Sequence, residues 1–264
     1  MLKGELGENR AATEDKPLTY GAYLRVPELL RLQTPLKEPP EHDEMLFVIV
    51  QQIQELWFKQ MLYELRAIID AVEGGALTDA ARLLTRTNRI LKVVANEVAI
   101  LETMLPQDFQ RFRYVLTTSS GFESEQFREL EMASGLSTAT FQKLLEKRMD
   151  LVAIRAAWPK SLHEAFLELL ADVDPDPMAA VVRIYEEYPQ RPELFALAEA
   201  LSEYELLFNE WRFRHVKVVE RTIGDRMPGT AGSSGVGYLG KTLGYRFFPE
   251  LWEARNQITA RARP

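Results

Sequence analysis

Apolar residues recur at intervals of three and four along most of the chain. Leu46, Val50, Ile53, Trp57 and Met61 mark one such face. That spacing predicts a long helix over 43–72, ended by Gly74-Gly75. A second helix is predicted over 78–104, stopped before Pro106. A third starts near Pro106, where proline's fixed φ suits a first turn. A fourth covers 124–133, and helical pattern continues from about 141 to 170. Asp174-Pro175-Asp176-Pro177 then breaks it and caps the next helix, and a last long helix spans 192–223. Alternating strand patterns with turn signals are absent. The expected fold class is all-α, a helical bundle with a buried site. One domain over 18–264 follows a polar, flexible segment over 1–17.

The last long helix carries candidate chemistry. Tyr204, Phe208, Trp211 and His215 are spaced to share one face, and His215 is one of only 3 histidines. His42 reads as a loop residue beside prolines, and His163 as a surface histidine. An imidazole ending an aromatic stripe is either a core histidine with a satisfied hydrogen bond or a ligand to the iron of a flat, apolar cofactor. The region after this helix is rich in glycine: from Gly224 to Gly244 it holds seven of the chain's 14 glycines. Backbone there must turn sharply or approach a ligand closely.

Composition narrows the choice. The chain has 264 residues, 46% hydrophobic, enough for a sizeable core. A net charge of −7 argues against a dedicated nucleic-acid surface. The lack of cysteine excludes disulfides, zinc ribbons, iron–sulfur clusters and thiolate-ligated haem. No apolar run reaches membrane length and no signal-peptide core is visible, so a cytoplasmic location without membrane contact is expected. Gly235 to Thr242 satisfies both the Walker A and the G-x-G-x-x-G patterns. Both need a buried strand before the glycines, and here a Ser/Thr/Gly loop precedes them, so a nucleotide site is not expected.

Three blocks carry a family resemblance. The first is His42-Asp43-Glu44-Met45-Leu46-Phe47, continuing to Glu55-Leu56-Trp57-Phe58-Lys59. The second is Phe112-Arg113 with Ser119-Ser120-Gly121-Phe122-Glu123-Ser124-Glu125-Gln126-Phe127-Arg128. The third is Arg212-Phe213-Arg214-His215-Val216 followed by Gly229-Thr230-Ala231-Gly232-Ser233-Ser234-Gly235. In this order they resemble the tryptophan 2,3-dioxygenases, and the likeness runs from about Leu18 to Trp252.

The resemblance implies haem b held through His215 as the protein ligand to iron, with Trp211, Ser120 and Gly121 around the cofactor. It implies Arg113 as the clamp on an amino-acid carboxylate, a role suited to a planar two-pronged donor. Thr230 would hold the substrate ammonium and carboxylate, with Met227-Pro228 reading as an insertion ahead of it. Phe47 and Phe109 would pack at the indole; the family usually has tyrosine at the Phe109 position. Tyr20, Tyr23 and Leu24 would reach into a neighbouring subunit's pocket in a homotetramer.

One departure stands out: the family's usual distal histidine is replaced by Gln51. An amide is no base at neutral pH, but its oxygen can accept the indole N–H hydrogen bond. Gln52 would be rotated off that face. The expected function is a haem-dependent oxygenase that inserts oxygen from O2 at the indole C2–C3 bond of L-tryptophan or a substituted tryptophan. Two oxygens would give N-formylkynurenine. One oxygen, on a β-substituted tryptophan, would give a 2-oxindole in secondary metabolism. A reading of another class, a haem and indole binding protein without turnover, stays open at this point.

Overall fold

A computed structural model describes residues 17–117, 119, 121–138, 141, 150–227 and 235–261. The described residues form helices and turns, with no strand among them. None of these helices is long and apolar enough to cross a membrane. The order is α1 (Tyr20–Leu24), α2 (Val26–Leu29), α3 (His42–Glu73), α4 (Leu77–Leu101), α5 (Pro106–Arg113), α6 (Glu125–Ser134), α7 (Leu151–Ala157), α8 (Leu162–Ala171), α9 (Pro177–Glu186), α10 (Pro192–Ile223), α11 (Val236–Thr242) and α12 (Pro249–Arg261). Two short 3-10 turns, Tyr114–Leu116 and Gly121–Glu123, join α5 to α6.

The long helices fall where the spacing of apolar positions places them. α10 has the predicted bounds, and α3 is one residue longer at each end. α4 stops three residues early, because the backbone N–H groups of Glu102, Thr103 and Met104 bond carbonyls three residues back as the turn tightens before Pro106. Ser124 caps α6 by accepting the Phe127 N–H, and Asp176 caps α9 through Met178 N. The pattern over 141–170 resolves into α7 and α8, separated by Trp158-Pro159 and capped at Ser161 by a capping box with Glu164; residues 142–149 lie outside the described residues. Gly237 and Gly240, part of the Walker-like pattern, sit inside α11, and residues 228–234 before it lie outside the described residues.

The core forms where α10 packs along α4 and α4 along α3. Met61, Leu65, Ile68, Leu84, Val94, Leu197 and Leu201 are fully or almost fully buried between them. Three polar groups tie outlying segments to this frame. Glu44 accepts the N–H groups of Leu36 and Lys37 at 2.6 and 3.1 Å, anchoring the proline-rich loop to the first turn of α3. Gln126 Nε2 donates to the Glu55 carboxylate at 2.7 Å and joins α6 to α3. Glu205, wholly buried, accepts the N–H groups of Phe247 and Phe248 at 2.7 and 2.8 Å, which lays those rings over α10.

Two histidines differ from expectation. His42 is not in a loop: it opens α3, exposed, with its ring on Asp43 at 3.0 Å. His163 is not a surface residue. It packs edge-on against Phe248 and meets the Glu250 carboxylate at 3.0 Å. Burial alone would raise the Glu250 pKa, but the bond to His163 and its own backbone N–H bring it below the usual range.

His163 also explains Gly135, the residue that ends α6 at φ 119°. A Cβ there would lie 2.4 Å from the His163 Cβ. Gly135→Ala therefore meets both a disfavoured backbone conformation and a clash. It should destabilise the protein by about 2–3 kcal/mol, the range of overpacked cores, in a urea melt. An unchanged midpoint would refute that packing.

Candidate functional site

The second half of α10 turns its buried face away from the core and towards a cavity. α3 supplies Phe47, Gln51, Gln54, Glu55 and Phe58 to the cavity wall. α4 supplies Val98 and Leu101, and α5 supplies Phe109 and Arg113. Phe127, Arg128 and Glu131 come from α6, Trp211, Arg212, His215 and Val218 from α10, and Leu239 and Thr242 from α11. The space between them, with the open solvent at its mouth, is about 1530 Å³.

His215 projects into this space one turn after Trp211. The two rings stack with centroids 5.1 Å apart and planes 17° from parallel, which fixes the imidazole plane. Burial, assisted by the nearby Arg128 charge, pushes the imidazole pKa down to about 4. The ring is therefore neutral at physiological pH and has a nitrogen lone pair available to a metal. The aromatic stripe behind it is real: Tyr204 and Phe208 are buried, with centroids 5.9 Å apart.

Beside His215 lies a buried charge cluster. Glu131 meets Arg128 at 2.9 Å and Arg212 at 2.8 Å, and all three side chains are more than nine-tenths buried. Arg212 also faces the Phe208, Tyr245 and Phe247 rings. Two donors on this wall, Arg212 Nε and the Trp211 indole N–H, are buried without a hydrogen-bond partner among the described residues.

The opposite side is built by α3 and α5. Phe47, Phe109 and Phe112 form a trio with centroid distances of 5.2 to 5.9 Å. Arg113 lies one turn after Phe109 and lines the same cavity. Asp108, one candidate partner for it in the sequence, pairs with Arg111 at 3.1 Å. Gln51 follows Phe47 by one turn and lines the cavity. Gln52 is turned away, bonded to Gln33 at 2.6 Å and to the Leu32 carbonyl at 3.0 Å.

Seven residues singled out in the sequence thus share one cavity: Phe47, Gln51, Phe109, Arg113, Gly121, Trp211 and His215. Ser120 and Thr230 lie outside the described residues. Tyr20, Tyr23 and Leu24 do not line the cavity of their own chain; they are exposed on and around α1. Gln54, Arg128, Glu131 and Arg212 were not foreseen as lining residues. The signal for Gln54 was present in the 47, 51, 54, 58 spacing. The charge cluster could not be found that way, because its members come from two distant helices.

Comparison with known proteins agrees with the three blocks. The family model described as Tryptophan 2,3-dioxygenase matches residues 5–152 and 170–258. The chain belongs to the tryptophan 2,3-dioxygenase family. It is 40% identical to the tryptophan 2,3-dioxygenase of a Nocardioides species, covering 91% of this chain and 95% of the relative. It is 38% identical to that of Serratia proteamaculans, over 98% of this chain and all of the relative. Identity to the Pseudomonas aeruginosa enzyme is also 38%, over 95% and 93%.

The tryptophan dioxygenase resemblance implies haem b, and the cavity residues fit it. Haem b has an apolar face and edge, two carboxylates and an iron that takes a neutral imidazole. The cavity offers apolar walls, a neutral histidine, two buried guanidiniums and two buried donors that meet no described partner. Glu131 is the counter-charge that keeps this wall stable. Removing one partner of a buried ion pair strands the other, typically at about 3–5 kcal/mol. Glu131→Ala should lose stability of that order in chemical denaturation, far more than loss of an exposed pair such as Arg82–Asp79.

Proposed function

We propose that this chain is a haem-dependent oxygenase that acts on the indole C2–C3 bond of L-tryptophan or a substituted tryptophan with O2. The observation that carries the reading is the convergence of His215, Gln51 and Arg113 on one cavity. When bound, haem b would supply iron for activating dioxygen, with His215 as its protein ligand and Trp211, Arg212 and Arg128 of the same cavity helping to hold it.

The chain's own residues position the substrate. Arg113 binds the carboxylate as a two-pronged donor, with Thr230 at the ammonium by family resemblance. Phe47 and Phe109 pack on the indole and exclude water. The Gln51 amide oxygen accepts the indole N–H, and the proton stays on nitrogen throughout, since an amide has no useful basicity. Phe109 has no hydroxyl to contribute.

Delivery of both oxygens gives N-formylkynurenine; delivery of one gives a 2-oxindole. Gln51, standing in place of the family's usual histidine, is the residue that keeps the second outcome open. A haem or indole carrier is disfavoured, because it has no use for a cation placed to hold an amino-acid carboxylate.

The proposed assembly is a homotetramer, with Tyr20, Tyr23 and Leu24 entering a neighbour's pocket. Its support is exposed apolar surface. Tyr20 and Tyr23 are 78% and 72% exposed. Ile49, Leu56 and Tyr63 lie at seven-residue intervals on α3, Val93 and Ile100 do so on α4, and all are exposed.

Two variants test the reading. His215→Ala should purify with little haem and without a five-coordinate histidine spectrum; full loading with an unchanged spectrum would sink the ligand assignment. Arg113→Ala should weaken L-tryptophan binding by about 2–5 kcal/mol, the usual cost of stranding one side of a desolvated charge pair. It should also level the difference between tryptophan and tryptamine. If the variant discriminates as the parent does, Arg113 is not the clamp.

A further inference from the structure

Gln54 is the polar residue of the cavity that this mechanism does not use. Its side chain is 6% exposed, it lines the cavity, and it makes no hydrogen bond to any described residue. Its amide is therefore open to the cavity, where a bound ligand can complete its donor and acceptor. Gln51, three residues earlier, is likewise without a hydrogen bond, so α3 turns two open amides into one cavity.

The order of groups along α3 identifies what Gln54 meets. At one end Phe47 touches Phe109, one turn from Arg113 on α5. At the other end Phe58 touches Trp211, the ring stacked on His215. Gln51 and Gln54 lie between, separated by about 4.5 Å along the helix axis. Tryptophan laid in the same direction puts its carboxylate at Arg113 and its N–H at Gln51. The next part of the molecule, farthest from the amino acid, is the benzo-ring edge on the nitrogen side, carbons 6 and 7. In tryptophan that edge is hydrocarbon and leaves Gln54 unmatched. The haem carboxylates are no partner for it: Arg212, with the Trp211 indole N–H beside it, offers them a guanidinium, and a neutral amide competes poorly with guanidinium for an anion.

The geometry points to Gln54 as a specificity-determining residue that hydrogen-bonds a polar substituent, a hydroxyl or amine, on carbon 6 or 7 of the indole. This rests on the proposed binding of an indole amino acid with its carboxylate at Arg113. It makes the preferred substrate a ring-hydroxylated or ring-aminated tryptophan. The reaction class that supplies it is then an aromatic hydroxylation or amination acting before this enzyme.

The test is equilibrium binding to the haem-loaded protein, read from the shift of the haem absorption band. L-tryptophan, its 6- and 7-hydroxy derivatives and the 6- and 7-methyl derivatives as shape controls are compared. The parent should bind one hydroxy isomer at least about tenfold more tightly than its methyl counterpart and tryptophan, as expected when a buried amide gains its partner. Gln54→Leu, of similar volume and with the same haem spectrum, should bring the hydroxy compound to the level of the methyl one. Tryptophan bound without any such preference, or a preference that survives in Gln54→Leu, overturns the role of Gln54 alone. Failure of every indole amino acid to bind overturns the functional reading beneath it as well.

Discussion

Two guanidinium groups and one carboxylate are buried together where α6 meets α10, and much of the molecule is arranged around that cluster. Charges of this kind stay in a protein interior only when matched and held by hydrogen bonds. Glu131 bridges both guanidiniums. Aromatic rings from α10 and the segment after α11 cover Arg212. Glu205 fixes those covering rings by holding the backbone of Phe247 and Phe248. Both guanidiniums line the cavity, next to a neutral imidazole. An apolar hollow with cations on one side and an imidazole nitrogen free to take a metal suits an anionic, iron-bearing macrocycle. The stability of the fold and the affinity for such a group are therefore linked through the same few side chains.

α3 performs the complementary task. Over one continuous helix its cavity face passes from aromatic to amide to amide to aromatic: Phe47, Gln51, Gln54 and Phe58. Because all four ride on one rigid element, their spacing is set by helix geometry rather than by loops. The same helix presents apolar residues outward at Ile49, Leu56 and Tyr63, so it serves both the site and the surface proposed to meet other copies. An amide at position 51 can accept a hydrogen bond from a ligand N–H but has no useful basicity.

Much of this was legible in the sequence for reasons that are local. Helix periodicity is a property of neighbouring residues, so the bounds of α3 and α10 and the all-α class follow from apolar spacing alone. The aromatic stripe ending in His215 is legible in the same way, and three family blocks joined it to Phe47, Gln51 and Arg113. What the sequence did not yield depends on distant partners. The Arg128–Glu131–Arg212 cluster unites residues about eighty positions apart. The burial of His163 depends on Gly135 and Glu250, neither of which is near it in the chain. The tightened turn after α4 reflects competition between apolar periodicity, which continues to Met104, and the proline that follows.

The central claim is that the cavity binds haem through His215 and directs oxygen into an indole ring held by Arg113. Its most direct test is turnover of L-tryptophan by the haem-loaded ferrous protein in isotopically labelled dioxygen, with the product mass measured. The account predicts consumption of dioxygen and an indole-derived product that carries labelled oxygen: two atoms for dioxygenation, one for the 2-oxindole outcome that Gln51 keeps open. A ferrous protein that binds both haem and tryptophan yet returns the amino acid unlabelled, with no dioxygen consumed, would contradict it.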